Sequence, residues 1–236
     1  MAKDEVCSRI REIGIIPAIK VTSGDDAHFA AEAVTRAGIP IVEIAMVVPG
    51  AVELISHLVK SYPNILVGAG TVLDTDTARR CVDAGAGFLT APSFNPTVVG
   101  FAAKENITVL PGALTPTEVV TAWEAGADFV KVFPCAQVGG DGYIKALTAS
   151  LPQIPLIAAG GVNQQTASKF ILSGATAIGV GTELIPIEAI QRRQSERIRE
   201  LARRFMKLVE DAREQIEAWK RSTVIKKYTG TEKCEE

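Results

Sequence analysis

Two histidines and four cysteines are all that 236 residues offer toward a transition-metal site. His28 and His57 fall in separate helical patterns, far apart along the chain. Cys7, Cys81, Cys135 and Cys234 show neither CxxC spacing nor the density of a disulfide framework. The expectation is free thiols and no metal held by histidine and cysteine, with a carboxylate-bound Mg²⁺ as the alternative left open. Charge of one sign is also missing. A formal net charge of −2 with interspersed signs gives no basic stripe, so nucleic acid is not an expected partner. No apolar run approaches the roughly 20 residues that span a bilayer, which predicts no membrane partner. The first residues, MAKDEVCSRIREIG, lack the apolar core of a signal peptide, so a cytoplasmic location is expected.

What the chain does have is core. A hydrophobic content of 47% at this length can fill the interior of one large domain. Short apolar runs alternate with amphipathic ones: IIPAIKV before a helical pattern from Asp25 to Ala37, IVEIAM before Ala51 to Lys60, ILVGAG before Thr75 to Ala84. The alternation continues through GFLTA, ITVLPG, DFVKVF, PLIAAG and TAIGVG. Eight such strand-helix units predict a parallel sheet buried on both faces. Glycines close helices at Ala37-Gly38, Ala84-Gly85, Ala125-Gly126 and Ser173-Gly174, recurring roughly every 40–50 residues as duplicated strand-helix pairs would. Thr115-Pro116-Thr117-Glu118 reads as a capping box with proline at the first helical position. The expected fold is an α/β (β/α)8 TIM barrel with an N-terminal helix and an extended C-terminal helix, with a doubly wound open sheet as the alternative. From Ile187 to Trp219, apolar residues at helical spacing among Arg, Lys and Glu predict one long helix or two with a bend. Residues 1–222 are expected to form a single domain and residues 223–236 a flexible tail.

In such a barrel, functional groups sit at the C-terminal ends of strands. That rule selects Lys20, Glu43, Thr71, Pro92, Pro111-Gly112, Lys131-Phe133, Gly160-Gly161 and Gly181-Thr182, predicted to surround one pocket. Lys131 stands out, a charge inside the apolar run DFVKVFP. A lysine amine attacks carbonyls only when neutral. Its ordinary value near 10.4 leaves it protonated, and apolar surroundings disfavour the ammonium. The alternative is a stem packed in the strand with its amine reaching solvent or pairing with Glu43. Glu43 is the lone charge in IVEIAM and could shuttle protons for that amine. A buried ion pair is often no more stable than an apolar pair, so pure stability is a weak reason for it. Gly160-Gly161 and Gly181-Thr182 follow the seventh and eighth predicted strands, where many barrels bind phosphate or carboxylate.

The stretches VEIAMVVPGA, VGAGTVLD, FLTAPSFNP, VLPGALTPTE, DFVKVFPCAQVGG, GGVN and GVGTELI, in this order, resemble the 2-dehydro-3-deoxy-phosphogluconate / 4-hydroxy-2-oxoglutarate aldolase family, class I aldolases that form a Schiff base on trimeric barrels. The resemblance covers roughly Ile13 to Lys207. It implies that Lys131 forms the imine and that Glu43 is the general acid/base. Thr71 would hold the pyruvate carboxylate, Pro92, Gly112 and Phe133 would shape the pyruvate pocket, and Gly160, Gly161, Gly181 and Thr182 would meet the phosphate end of a sugar acid. It implies no cofactor, because the protonated imine is the electron sink, a homotrimer, and cleavage of a keto acid to pyruvate and an aldehyde. Two positions depart from the family pattern: Val47 stands where many members carry a carboxylate-gripping arginine, and Ala159 where threonine is frequent. Lys20, at the end of the first strand where many members carry arginine, would compensate as a point charge; the alternative is an ordinary strand-end lysine reaching solvent. Two other readings use the same residues: a phosphate-binding isomerase or epimerase with Glu43 as base, and a non-catalytic keto-acid-binding or scaffold descendant.

Overall fold

A computed structural model describes residues 1–229 and contains nine parallel strands: β1 Ile15–Ile19, β2 Ile41–Ala45, β3 Leu66–Gly70, β4 Phe88–Thr90, β5 Thr108–Leu110, β6 Gly112–Ala113, β7 Val130–Val132, β8 Leu156–Ala159 and β9 Ala177–Val180. Their Ile- and Val-rich runs are buried almost throughout, as strands covered on both faces should be. β1 pairs with both β2 and β9, which rules out the open doubly wound sheet. The expected fifth strand is split in two by Pro111. Its first half pairs with β4 and its second with β7, and Lys131 N donates to Pro111 O at 2.9 Å, so the chain itself carries the ring across the break. Proline has no N–H to give the ladder, which is why a single strand is interrupted there.

The helices follow their sequence signals closely. They include α1 Lys3–Ile13, α2 Gly24–Arg36, α3 Ala51–Ser61, α4 Thr75–Asp83, α5 Pro96–Lys104, α6 Pro116–Glu124, α7 Gly140–Ser150 and α8 Ala167–Leu172. Thr115 and Glu118 form the reciprocal capping box, and Asp74 and Asn95 cap α4 and α5. Gly38, Gly85, Gly126 and Gly174 all take φ near +100°, the left-handed exit that side chains avoid.

The C-terminal segment is two helices, α9 Ile187–Gln191 and α10 Ser195–Thr229. The break falls at Arg193, which adopts φ 51°, pairs with Asp26 at 3.1 Å and lies over the Phe29 ring. Ile198, Ala202, Phe205, Val209 and Ala212 form the buried stripe of α10, which packs mainly on α8 and α2. The helix runs past the expected boundary at 222; residues 230–236 of the expected tail lie outside the described residues.

One end of the barrel is closed. Arg9 of α1 donates to Pro40 O and Asn64 O, and Lys3 pairs with Asp128, all at the starts of strands. Arg213 of α10 reaches across the same end, donating to the carbonyls of Arg11, Glu12 and Thr176. Gly14 makes room for it, since a Cβ there would lie 2.3 Å from the Arg213 guanidinium. Function is therefore left to the opposite end.

Candidate active site

Lys131, Glu43 and Thr90 come from β7, β2 and β4, no two of which are neighbours in the sheet. Their side chains can meet only through the barrel interior, and they do. Lys131 Nζ lies 3.7 Å from Glu43 Oε2 and donates to Thr90 Oγ1 at 3.4 Å. Lys131 is 8% exposed, Glu43 3% and Thr90 2%, so the three polar groups share a nearly dry setting. Glu43 Oε1 is buried without a hydrogen-bond partner, a costly state that points to an acceptor waiting for a proton or a ligand.

Glycines on β3 clear this space. A Cβ on Gly70 would lie 2.1 Å from Glu43 Oε1, and one on Gly68 2.1 Å from Cζ of Phe88. The alternation in LVGAG thus hollows the wall beneath the carboxylate. Thr71 follows with φ 60°, a conformation costly for a β-branched residue and of the kind found at functional sites. Gly112 stands in register with Lys131 and packs so tightly on the chain after β4 that a Cβ would meet the Pro92 carbonyl at 2.2 Å.

Phe133 links the interior to the rim. Lys131 Nζ and Lys20 Nζ each lie 5.7 Å from the centroid of its ring, both within cation–π range. Gly160 passes beside this ring, and Gly160 and Gly161 both have φ 83°, with Gly161 pressed against Ala136. Lys20 also borders a cavity of about 470 Å³ with Val21, Thr22, Asp26, Val47 and Ile187. Val47 is 61% exposed there. Gly181 lies beside Ala18 O, and Thr182 opens into another rim cavity of about 490 Å³ with Glu183, Ile187 and Arg197. The residues expected around one pocket thus include an interior cluster and residues that border two rim cavities, both lined by Ile187 on α9. A further cavity of about 770 Å³ lies under α10 at the closed end, away from Lys131, and is a seam between helix and barrel base.

Thr90 is the site residue that sequence reasoning passes over. Threonine is an ordinary strand residue, and only its closure across the barrel distinguishes it. His28 and His57, remote in sequence, sit with ring centroids 5.2 Å apart on α2 and α3. Among the described residues, no three His, Cys, Asp or Glu side chains gather as a metal site. Cys7, Cys81 and Cys135 are free and buried, and burial pushes the Cys81 and Cys135 thiols up to about 11. Cys234 lies outside the described residues.

A parallel barrel with an amine and a carboxylate facing each other in its interior is the equipment of a lyase that works through covalent attachment to lysine. Comparison with known proteins agrees. The family described as KDPG and KHG aldolase matches residues 6–201. The chain is 36% identical over 174 residues to the 2-dehydro-3-deoxy-6-phosphogalactonate aldolase of Escherichia coli (strain K12), covering 72% of this chain and 84% of that one. It is 27% identical to the 2-dehydro-3-deoxy-phosphogluconate aldolase of Treponema pallidum (strain Nichols), covering 87% and 96%. A KDPG aldolase from Legionella pneumophila, solved with pyruvate captured as a covalent carbinolamine intermediate, superposes with a TM-score of 0.78 at 28% identity, covering 84% and 96%. The chain belongs to the KDPG and KHG aldolase family.

Proposed function

We propose that this protein is a class I, metal-independent aldolase that cleaves a 2-keto-3-deoxy (phospho)sugar acid or 4-hydroxy-2-oxo acid to pyruvate and an aldehyde through a Schiff base on Lys131. The observation that carries the proposal is the Lys131–Glu43 approach at 3.7 Å inside the barrel. As a stabilising device such a pair gains little, since desolvation offsets the attraction. As a reactive pair it has both parts of the chemistry. Glu43 takes a proton, and the amine adds to the keto carbon. Glu43 relays this proton and a second one from nitrogen to the former carbonyl oxygen, so the carbinolamine loses water to give the iminium and Glu43 is ionised again. Glu43 then accepts the proton of the substrate's 4-hydroxyl while the C3–C4 bond breaks, its electrons passing to the iminium as the enamine forms and the aldehyde leaves. Protonation at C3 and addition of water return pyruvate and free lysine.

Thr71 holds the pyruvate carboxylate in this reading, supported by its left-handed backbone directly after the glycine beneath Glu43. Lys20 adds positive charge where Val47 has none to give, supported by the cavity they share and by the Phe133 ring that Lys20 and Lys131 both approach. Pro92, Gly112 and Phe133 shape the pocket. Gly160, Gly161, Gly181 and Thr182 take the far, anionic end of the substrate, supported by the paired left-handed glycines at 160 and 161. A cytoplasmic homotrimer, with residues 1–222 as one domain, completes the proposal. Among the described residues, no helix is long and apolar enough to cross a membrane.

The test is to add pyruvate and sodium borohydride and map the reduced adduct by mass spectrometry. The expected site is Lys131, with none formed by Lys131→Arg. Turnover that survives Lys131→Arg would move the reading to proton abstraction by Glu43 alone, as in an isomerase. Light scattering at a trimer mass checks the assembly.

A further inference from the structure

Four polar or charged side chains other than cysteine are buried among the described residues: Glu43, Thr90, Thr108 and Lys131. Thr108 is accounted for structurally, with its hydroxyl 3.6 Å from Cys7 Sγ and donating to Lys3 O at the closed end. Thr90 is not. It ends β4 with its hydroxyl turned into the barrel against the one nitrogen that reacts, 3.4 Å away. Valine would fill that position with the same shape and without the expense of burying a hydroxyl.

Building on the Schiff-base reading, we infer that Thr90 is a further catalytic residue, the neutral acceptor for the single N–H of the Lys131 iminium. The proton count leads there. As an ammonium, Lys131 carries three N–H bonds. One proton goes to Glu43 before attack. The C–N bond then forms while the carbonyl π electrons move to oxygen. Glu43 passes that proton and a second one from nitrogen to this oxygen, the C–O bond breaks, water departs, and Glu43 is left ionised. The iminium keeps one N–H in a setting without bulk water, where an unpaired donor bearing positive charge is strongly disfavoured.

Two acceptors lie in reach, Glu43 Oε2 at 3.7 Å and Thr90 Oγ1 at 3.4 Å. A carboxylate clamped on the iminium would offset the positive charge that draws electrons from the breaking C–C bond. It would also occupy the base needed at the 4-hydroxyl. A hydroxyl satisfies the N–H and leaves both the charge and the base available. Thr90 thus separates two tasks that Glu43 cannot perform at once.

The experiment compares the wild-type chain with Thr90→Val, Thr90→Ser and Thr108→Val. Each is followed by the rate of borohydride-trapped pyruvate adduct formation and by kcat and KM for keto-acid cleavage. Thr90→Val is expected to slow adduct formation and kcat roughly 10–100-fold, the scale of one hydrogen bond to a charged group, with KM little changed. Thr90→Ser should recover most of that loss, because it restores the hydroxyl and not the methyl. Thr108→Val, an equally buried exchange on the neighbouring strand, should leave both rates at the wild-type level. Thr90→Val reacting as fast as wild type, or Thr90→Ser as slow as Thr90→Val, would overturn the role of Thr90 alone. No adduct on any lysine of the wild-type chain would overturn the Schiff-base reading beneath it.

Discussion

An alanine at position 70 would set a methyl group 2.1 Å from Glu43 Oε1, so Gly70→Ala must displace the carboxylate from the amine. Turnover is expected to fall at least 100-fold, with a destabilisation of roughly 1–3 kcal/mol from overpacking. Denaturant melts beside pyruvate-release assays would show both. Thr71 should behave in the opposite sense. Its φ of 60° suits glycine, so Thr71→Gly is expected to keep or raise stability, by up to about 1 kcal/mol, while weakening pyruvate binding. Cys81 and Cys135, with thiols held near 11 by burial, should resist iodoacetamide at pH 8 in the native state and react once the chain is denatured. At this scale the sequence displays the charges and hides their neighbours. Lys131 and Glu43 are legible because each is the lone charge of an apolar strand. Thr90 is not, because nothing in FLTA distinguishes a hydroxyl that meets a lysine from one that merely suits a strand.

At the scale of single elements, local chemistry decides, and the sequence is read most directly. Glu118 accepts from the backbone N–H of Thr115 and of Leu114 at 2.8 and 2.7 Å, and these bonds hold its carboxyl below the usual carboxylate range. A group depressed on folding stabilises above its unfolded value, near 4.3, and loses that contribution as pH falls through the lower folded value. Wild type should therefore exceed Glu118→Gln in stability at neutral pH, and the gap should close below about pH 4. Thr115→Ala removes the other half of the box and is expected to cost about 1 kcal/mol at any pH. The glycine exits and the proline start of α6 lie where their local rules place them. The fifth strand differs from its expectation because apolar character runs straight through ITVLPG. Only the ladder registers that Pro111 lacks a donor, and the pattern of side chains carries no trace of it. The spacing from Ile187 to Trp219 fits one helix or two with a bend and does not choose between them; the position of the break is marked by the positive φ of Arg193 and its tertiary pairing with Asp26, which no local pattern displays.

Across the whole molecule, the two ends of the barrel are expected to respond independently to substitution. Arg213 ties α10 to three carbonyls at the closed end, the end opposite the Lys131 cluster. Arg213→Ala is expected to lower the thermal midpoint by roughly 4–8 °C, following a loss of about 2 kcal/mol, while the rate of adduct formation at 25 °C stays unchanged. A matching loss of activity would mean that strain at the base reaches the mouth. The wiring of the mouth has a consequence of its own. Lys131, Glu43 and Thr90 hang on three non-adjacent staves of one cask, and no pair of neighbouring strands brings any two of them together. A chain that is still open, however compact, has no reactive amine to offer a passing aldehyde or ketone. During refolding, the first instant at which borohydride can fix pyruvate to Lys131 is the instant at which the last stave drops into place, so the reagent that counts active sites also serves as a stopwatch for the closing of the ring.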